Sequence, residues 1–216
     1  QMEGDLSAIH SERVITGMPT AAFDAPAHLP EDLPALLPPS EREVRIAVNS
    51  KVMKLSWRLI DICKRLQRNA EVPVKFSFFP GEFHANMDGL HAAIQAQLPS
   101  AAVVPYVNYQ RFLDEIAKCD MALAAFPFGN TNSTVDTCLL GLPTVVHFGP
   151  ESPAQTDSLV LKTAGLPSWL VCDNDEKYYT TALRMINEPA ARKAAISPST
   201  PASTRSSTSS KPASVP

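Results

Sequence analysis

From residue 44 onward the chain alternates apolar runs of strand length with segments of helical periodicity, and nothing else limits its fold so strongly. Residues 44–48 make a first apolar strand, ended by the turn Asn49-Ser50-Lys51. Leu55, Leu59, Ile62 and Leu66 then recur at helical spacing. Residues 74–79 are a second strand closed by Pro80-Gly81, and a helix is predicted over about 87–97. Residues 101–104 form a third strand, and 109–119 a helix with Phe112, Leu113 and Ile116 facing inward. A fourth strand at 121–126 leads to a helix near 133–140, and a fifth at 144–148 to a helix at 156–163. A short last strand at 170–171 precedes a closing helix at 175–187, which stops before Glu188-Pro189. Repeated strand–helix units of this length require a parallel sheet with helices on both faces. Strands buried on both faces need not alternate, which fits their near-continuous apolar character. The fold class is therefore α/β, with a doubly wound, mostly parallel sheet.

The two ends differ from this middle. Pro19, Pro26, Pro30, Pro34, Pro38 and Pro39 exclude regular structure over most of their stretch. Residues 1–40 thus read as an extension and Pro-rich linker, with Val14 and Ile15 as an edge strand. Residues 197–216 are nearly all Ser, Thr, Pro and Ala, a composition that builds no core and predicts disorder. Residues 41–196 remain as the folded domain, and 44% hydrophobic content overall is enough for its core. A net charge of -3 gives no reason to expect nucleic acid or an anionic membrane as partner. No apolar run nears the roughly 20 residues that span a bilayer. The polar first fifteen residues lack the core of a secretion signal. Beginning with Gln, the chain reads as a piece of a longer protein. Cys63, Cys119, Cys138 and Cys172 are scattered, without metal-ligand spacing, and read as reduced, buried thiols of a cytoplasmic protein. Asp and Glu are dispersed and no His/Cys cluster exists, so no metal site is predicted.

Between the fourth strand and its helix stands Pro127-Phe128-Gly129-Asn130-Thr131-Asn132-Ser133-Thr134-Val135-Asp136. The first N–H groups of a helix have no intrahelical partner and carry the positive end of its dipole. A turn of Gly, Asn, Thr and Ser leaves them open to a phosphate. Asp136 lies four positions after Asn132 on the same helical face, where a carboxylate can accept bonds from ribose hydroxyls. Strand, phosphate-holding turn and acid together read as a nucleotide-sugar site. The same residue types also serve as plain turn, cap and solvated side chains.

The segment from Pro127 to Leu142 resembles the donor-binding motif of the bacterial cytoplasmic N-glucosyltransferases that modify adhesins. It is similar, more distantly, to the O-linked N-acetylglucosamine transferases of the same glycosyltransferase family. Pro127 to Asn132, with Asp136, match the bacterial pattern closely. Weaker similarity runs from about Val44 to Asn187, through Val52-Met53-Lys54-Leu55, Cys119-Asp120 and Gly165-Leu166-Pro167-Ser168-Trp169-Leu170. It covers only the C-terminal, donor-binding half of those enzymes, which is Rossmann-like within a two-domain GT-B architecture.

The resemblance implies inverting, metal-independent transfer of a hexose, glucose first, from a UDP-sugar to a protein side chain. It implies no cofactor beyond that donor, and an acceptor held by an N-terminal domain absent here, so that this chain alone is inactive. Lys54 follows the first strand and is expected to open the first helix, within reach of the motif turn. A diphosphate leaving group needs positive charge where negative charge develops, and the resemblance gives Lys54 that catalytic role. The bland alternative is a solvated lysine, and Lys51 divides evenly between the two. Asn130, Thr131, Asn132 and Ser133 would face the diphosphate, and Asp136 the ribose. In the family, the loop matching Val104, Pro105 and Tyr106 contacts uracil largely through its backbone. The bacterial enzymes carry histidine just before that Pro-Tyr pair, whereas this chain has Ala101, Ala102, Val103 and Val104. Gly149-Pro150-Glu151-Ser152-Pro153 also departs from the family pattern, with Glu151 a candidate for sugar hydroxyls. Among His84, His91 and His147, only His147 closes a strand at the expected ligand edge. Two further readings stand beside the transferase: a non-catalytic nucleotide-sugar binding module, and an unrelated doubly wound enzyme such as an epimerase.

Overall fold

The computed structural model describes residues 43–82 and 87–196. The expectations for residues 1–40, for His84 and for residues 197–216 lie outside these. Strands β1 (Val44–Val48), β2 (Val74–Phe78), β3 (Ala102–Val103), β4 (Met121–Leu123), β5 (Thr144–His147) and β6 (Val171–Cys172) form one sheet. Their order is β3-β2-β1-β4-β5-β6 and every pairing is parallel. The helices are α1 (Trp57–Asn69), α2 (Met87–Gln97), α3 (Tyr109–Ile116), α4 (Asn132–Leu139), α5 (Thr156–Thr163), α6 (Asp175–Asn187) and α7 (Pro189–Ala195). The expected doubly wound α/β class is the one observed.

The two-residue period of a strand divides its side chains between the faces. Val44, Ile46 and Val48 enter a large core with Leu59, Ile62 and Leu66 of α1 and Tyr178, Ala182 and Met185 of α6. Ala47 and Ala122 point the other way, into a smaller core with Leu113 and Ile116 of α3 and with Leu140 and Leu142. Strand order reverses between β1 and β4. In open parallel sheets that reversal leaves a crevice at the carboxyl ends of the two strands.

Several boundaries differ from expectation for physical reasons. Strand β4 stops at Leu123 because the Ala124 carbonyl accepts a bond from Tyr178 Oη (2.8 Å) instead of a ladder neighbour. Helix α3 ends at Ile116, where Lys118 and Cys119 tighten the chain with N–H bonds to carbonyls three residues back. Leu170 belongs to a 3-10 turn, so β6 starts one residue later. Helix α7 was not expected. Pro189 opens it, and the buried Arg192 donates to the Met185 and Ile186 carbonyls (2.5 and 2.8 Å), closing the end of α6. Lys54 does not open α1. It ends a 3-10 turn (Val52–Lys54), and α1 begins at Trp57 because Ser56 supplies the cap, its Oγ accepting Leu59 N–H at 3.2 Å.

Candidate functional site

At the crevice between β1 and β4, the loop after β1 meets the turn that leads into α4. After β1, Asn49 donates through Nδ2 to the Ser133 carbonyl (3.0 Å) and Ser50 Oγ donates to Asn130 Oδ1 (2.8 Å). Lys54 Nζ donates to the Gly129 carbonyl (2.5 Å) and lies 5.2 Å from the centre of the Phe128 ring. Three side chains from one loop thus fasten the turn that leads into α4. A lysine ammonium is held on that turn although 75 residues separate the two in sequence.

The turn itself is tightly built. Thr131, at the cap position of α4, has φ 56°, a left-handed conformation that costs a non-glycine residue about 1–3 kcal/mol. Its carbonyl accepts N–H bonds from Thr134 (3.1 Å) and Val135 (3.0 Å), starting the helix. From α5, Asp157 accepts the N–H bonds of Asn130 (2.8 Å) and Thr131 (2.6 Å) and the hydroxyl of Thr134 (2.9 Å). Its carboxylate is 1% exposed. Two N–H groups next to the helix end, expected to be open, are therefore taken by the protein's own acid. Those of Asn132 and Ser133 donate to no group among the described residues. Asn49 is 3% exposed and Asn130 8%, and the buried Asn49 Oδ1 and Asn130 Nδ2 have no hydrogen-bond partner among the described residues.

Beside the turn opens a cleft of about 260 Å³, floored by Phe79 and Phe112 and walled by Asn49, Lys51, Val104, Pro105, Tyr106, Tyr109 and Ser133. Val104, Pro105, Tyr106 and Ser133 are thereby brought together, and Lys51 joins them. Lys54, Asn130, Thr131 and Asn132 do not line this cleft. Asp136 is mostly buried, and its Oδ1 accepts a bond from Tyr109 Oη (2.6 Å). Burial raises the Asp136 pKa, and the bond from Tyr109 works against that rise. The Tyr109 hydroxyl is pushed up to about 12 by burial and by Asp136.

Other candidates fall elsewhere. His147 stacks on Phe126 (4.6 Å) and meets Asp175 Oδ1 through Nε2 (3.1 Å), while Arg58 Nε donates to the other oxygen of Asp175 (2.9 Å). Arg58 and, less, His147 hold the Asp175 carboxyl below its ordinary pKa. His147 is thus part of a strut joining β5, α6 and α1 and does not line the cleft. Glu151 stands exposed before the 3-10 turn Ser152–Ala154. Cys63, Cys119 and Cys172 are buried thiols and Cys138 is half-buried. Burial pushes Cys119 and Cys138 up to about 12, away from nucleophilic use. Among the described residues no group of three or more His, Cys, Asp or Glu could hold a metal ion, and no helix is long and apolar enough to cross a membrane. Sequence reasoning missed Asp157 and Tyr109. Only Asn108 before Tyr109, a helix cap accepting Arg111 N–H (2.9 Å), gave a hint of where Tyr109 sits.

No protein-family model matches the sequence. The structure resembles an O-GlcNAc transferase of Thermobaculum terrenum with TM-score 0.60 and 18% identity, covering 76% of this chain and 33% of that one. It resembles the assembly of accessory secretory proteins 1, 2 and 3 of Streptococcus pneumoniae with TM-score 0.52 and 9% identity, over 73% and 30% of the chains. By fold, then, the chain is a Rossmann-like doubly wound sheet of the kind found in GT-B glycosyltransferases. Sequence narrows this further. Over 158 residues it is 32% identical to the UDP-glucose:protein N-beta-glucosyltransferases of Actinobacillus pleuropneumoniae serotypes 5b and 7, covering 72% of this chain. The chain is a relative of these bacterial N-glucosyltransferases, and the match spans 26% of their length.

Proposed function

We propose that this chain is the donor-binding part of an inverting, metal-independent glycosyltransferase that moves a hexose, glucose first, from a UDP-sugar to a protein side chain. The observation that carries the reading is the Lys54 ammonium, fixed at 2.5 Å on the turn before α4, at the reversal point of the sheet. Departure of UDP places negative charge on the diphosphate. An ammonium already held there stabilises that charge in the transition state and needs little rearrangement. The open N–H groups of Asn132 and Ser133 add the positive end of α4. Asp136 keeps one carboxylate oxygen for ribose hydroxyls while Tyr109 engages the other. Backbone groups of Val104, Pro105 and Tyr106 serve the uracil, with the aromatic floor of the cleft beneath. The protein acceptor is held by other parts of the longer enzyme. Four unpaired cysteines fit a reducing compartment, so the proposed location is the cytoplasm.

A second reading, a nucleotide-sugar binding module without catalysis, is favoured by the cleft lining, where no carboxylate or imidazole occurs among the described residues. Calorimetric titration of the chain with UDP, UDP-glucose and ADP tests both. Saturable, uridine-selective binding is expected. Lys54→Ala should weaken it about tenfold or more, since hydrogen bonds from charged groups contribute about 1.5–3 kcal/mol. Equal affinity for ADP and UDP, or an unaffected Lys54→Ala variant, would refute the assignment. Glucose transfer to a peptide, when the chain is completed with the rest of the enzyme, separates transferase from binding module.

A further inference from the structure

We propose that Asp157 is the positioning residue of the donor site: an internal anion that occupies two N–H groups of the motif turn and thereby aims the next two at the diphosphate. The inference rests on the nucleotide-sugar reading above and assigns a role to a side chain outside the recognised motif. Asp157 lies in the first turn of α5, 26 and 27 residues from the groups it binds, and is 1% exposed. Three donors converge on it from one short segment: Asn130 N–H, Thr131 N–H and Thr134 Oγ. Next to it, Thr131 Oγ1 donates to Thr156 Oγ1 (2.8 Å), so the start of α5 grips the turn at adjacent residues.

The consequence is geometric. Thr131 sits at φ 56°, a conformation the turn would leave without something to hold it. With that residue left-handed and its N–H pinned at 2.6 Å, the chain direction into α4 is set, and so is the direction of the N–H groups of Asn132 and Ser133. An apolar or amide side chain at 157 removes the grip. Asparagine keeps the size but offers one acceptor oxygen, and its NH2 group confronts whichever N–H or hydroxyl lost its acceptor. The turn then relaxes towards ordinary φ and the two open N–H groups swing away. The effect should fall mainly on phosphate-bearing ligands, because the uracil cleft is lined by the loops after β1, β2 and β3 and by α3, with Ser133 alone coming from α4.

The experiment is amide-resolved NMR and calorimetry on the full chain and its Asp157→Asn variant, with UDP and uridine as probes. In the wild-type chain, Asn130 and Thr131 amides should exchange slowly with solvent with or without UDP, while UDP shifts the Asn132 and Ser133 resonances. In Asp157→Asn the Asn130 and Thr131 amides should exchange at least tenfold faster. UDP affinity should fall tenfold or more, with uridine affinity changed less than twofold. A variant that merely destabilises the domain would weaken both ligands alike, which would overturn the positioning role. So would wild-type spectra in which UDP displaces Asp157 and shifts Asn130 and Thr131. If the variant does not fold, the wild-type spectra decide alone. If wild-type chain binds no UDP, the nucleotide-sugar reading fails, and the exchange rates still decide whether Asp157 holds the turn.

Discussion

Gly129 is glycine because nothing larger fits, and replacing it with alanine should injure binding and stability together. Its φ is not left-handed, so the argument is one of space. An added Cβ would stand 2.7 Å from the Pro153 carbonyl oxygen, 2.9 Å from Asp157 Oδ2 and 3.2 Å from Asp157 Cγ. Neither neighbour can step aside easily. Pro153 O already accepts Gly129 N–H (3.1 Å) and Thr156 Oγ1 (3.2 Å), and Asp157 is held by its three donors. Overpacking of this kind costs about 1–3 kcal/mol. At about 2–4 °C per kcal/mol for a domain of this size, the melting temperature should fall by roughly 2–12 °C. The turn must back away from α5, and its Gly129 carbonyl is the group that holds Lys54. Loss of that alignment should weaken UDP binding roughly ten- to a hundredfold, given about 1.5–3 kcal/mol for a hydrogen bond from a charged group. The matched control is Gly89→Ala in α2, where a Cβ meets nothing within 4 Å. It should raise stability by about 0.5–1 kcal/mol and leave binding unchanged. The assay is paired thermal unfolding and UDP titration. A Gly129→Ala protein with wild-type melting temperature and affinity would refute the steric argument and the placing of the turn.

Two further substitutions separate function from stability. Asp136→Asn should weaken UDP binding yet raise the melting temperature at neutral pH. Burial holds the folded pKa of Asp136 above its unfolded value, so its contribution is fully present below the unfolded pKa and is lost as pH rises through the folded one. The gap between variant and wild type should be absent near pH 3, open above the carboxylate range and stay flat beyond it; thermal melts over pH 3–8 that show no such opening would count against the burial. Tyr178→Phe leaves the Ala124 carbonyl, buried just before the motif, without its 2.8 Å partner. A loss of about 1–3 kcal/mol is expected in denaturant titration, as for other buried groups left unsatisfied, with UDP affinity nearly unchanged.

What the sequence disclosed and what it hid divide along one physical line. Val44, Ile46 and Val48 against Ala47, or Leu59, Ile62 and Leu66 along α1, follow periods of two and 3.6 residues, because burial on one face repeats with the geometry of the element itself. The strand–helix order and the doubly wound sheet follow from such repeats. So does the motif turn, whose Gly, Asn, Thr and Ser lie consecutively before a helix. A polar group satisfied from far along the chain leaves no period. Tyr178 ends β4 from 54 residues away. Asp157 is the sharpest case. Counting the open N–H groups at the start of α4 is sound chemistry, and it pointed to an anion at the turn. The first anion there proves to be the chain's own, supplied by an aspartate in Thr156-Asp157-Ser158 that nothing local distinguishes. An accounting of backbone donors thus shows where negative charge must sit. It takes the folded chain to show which donors are already engaged and which remain for a ligand, and in this site the remainder is Asn132 and Ser133.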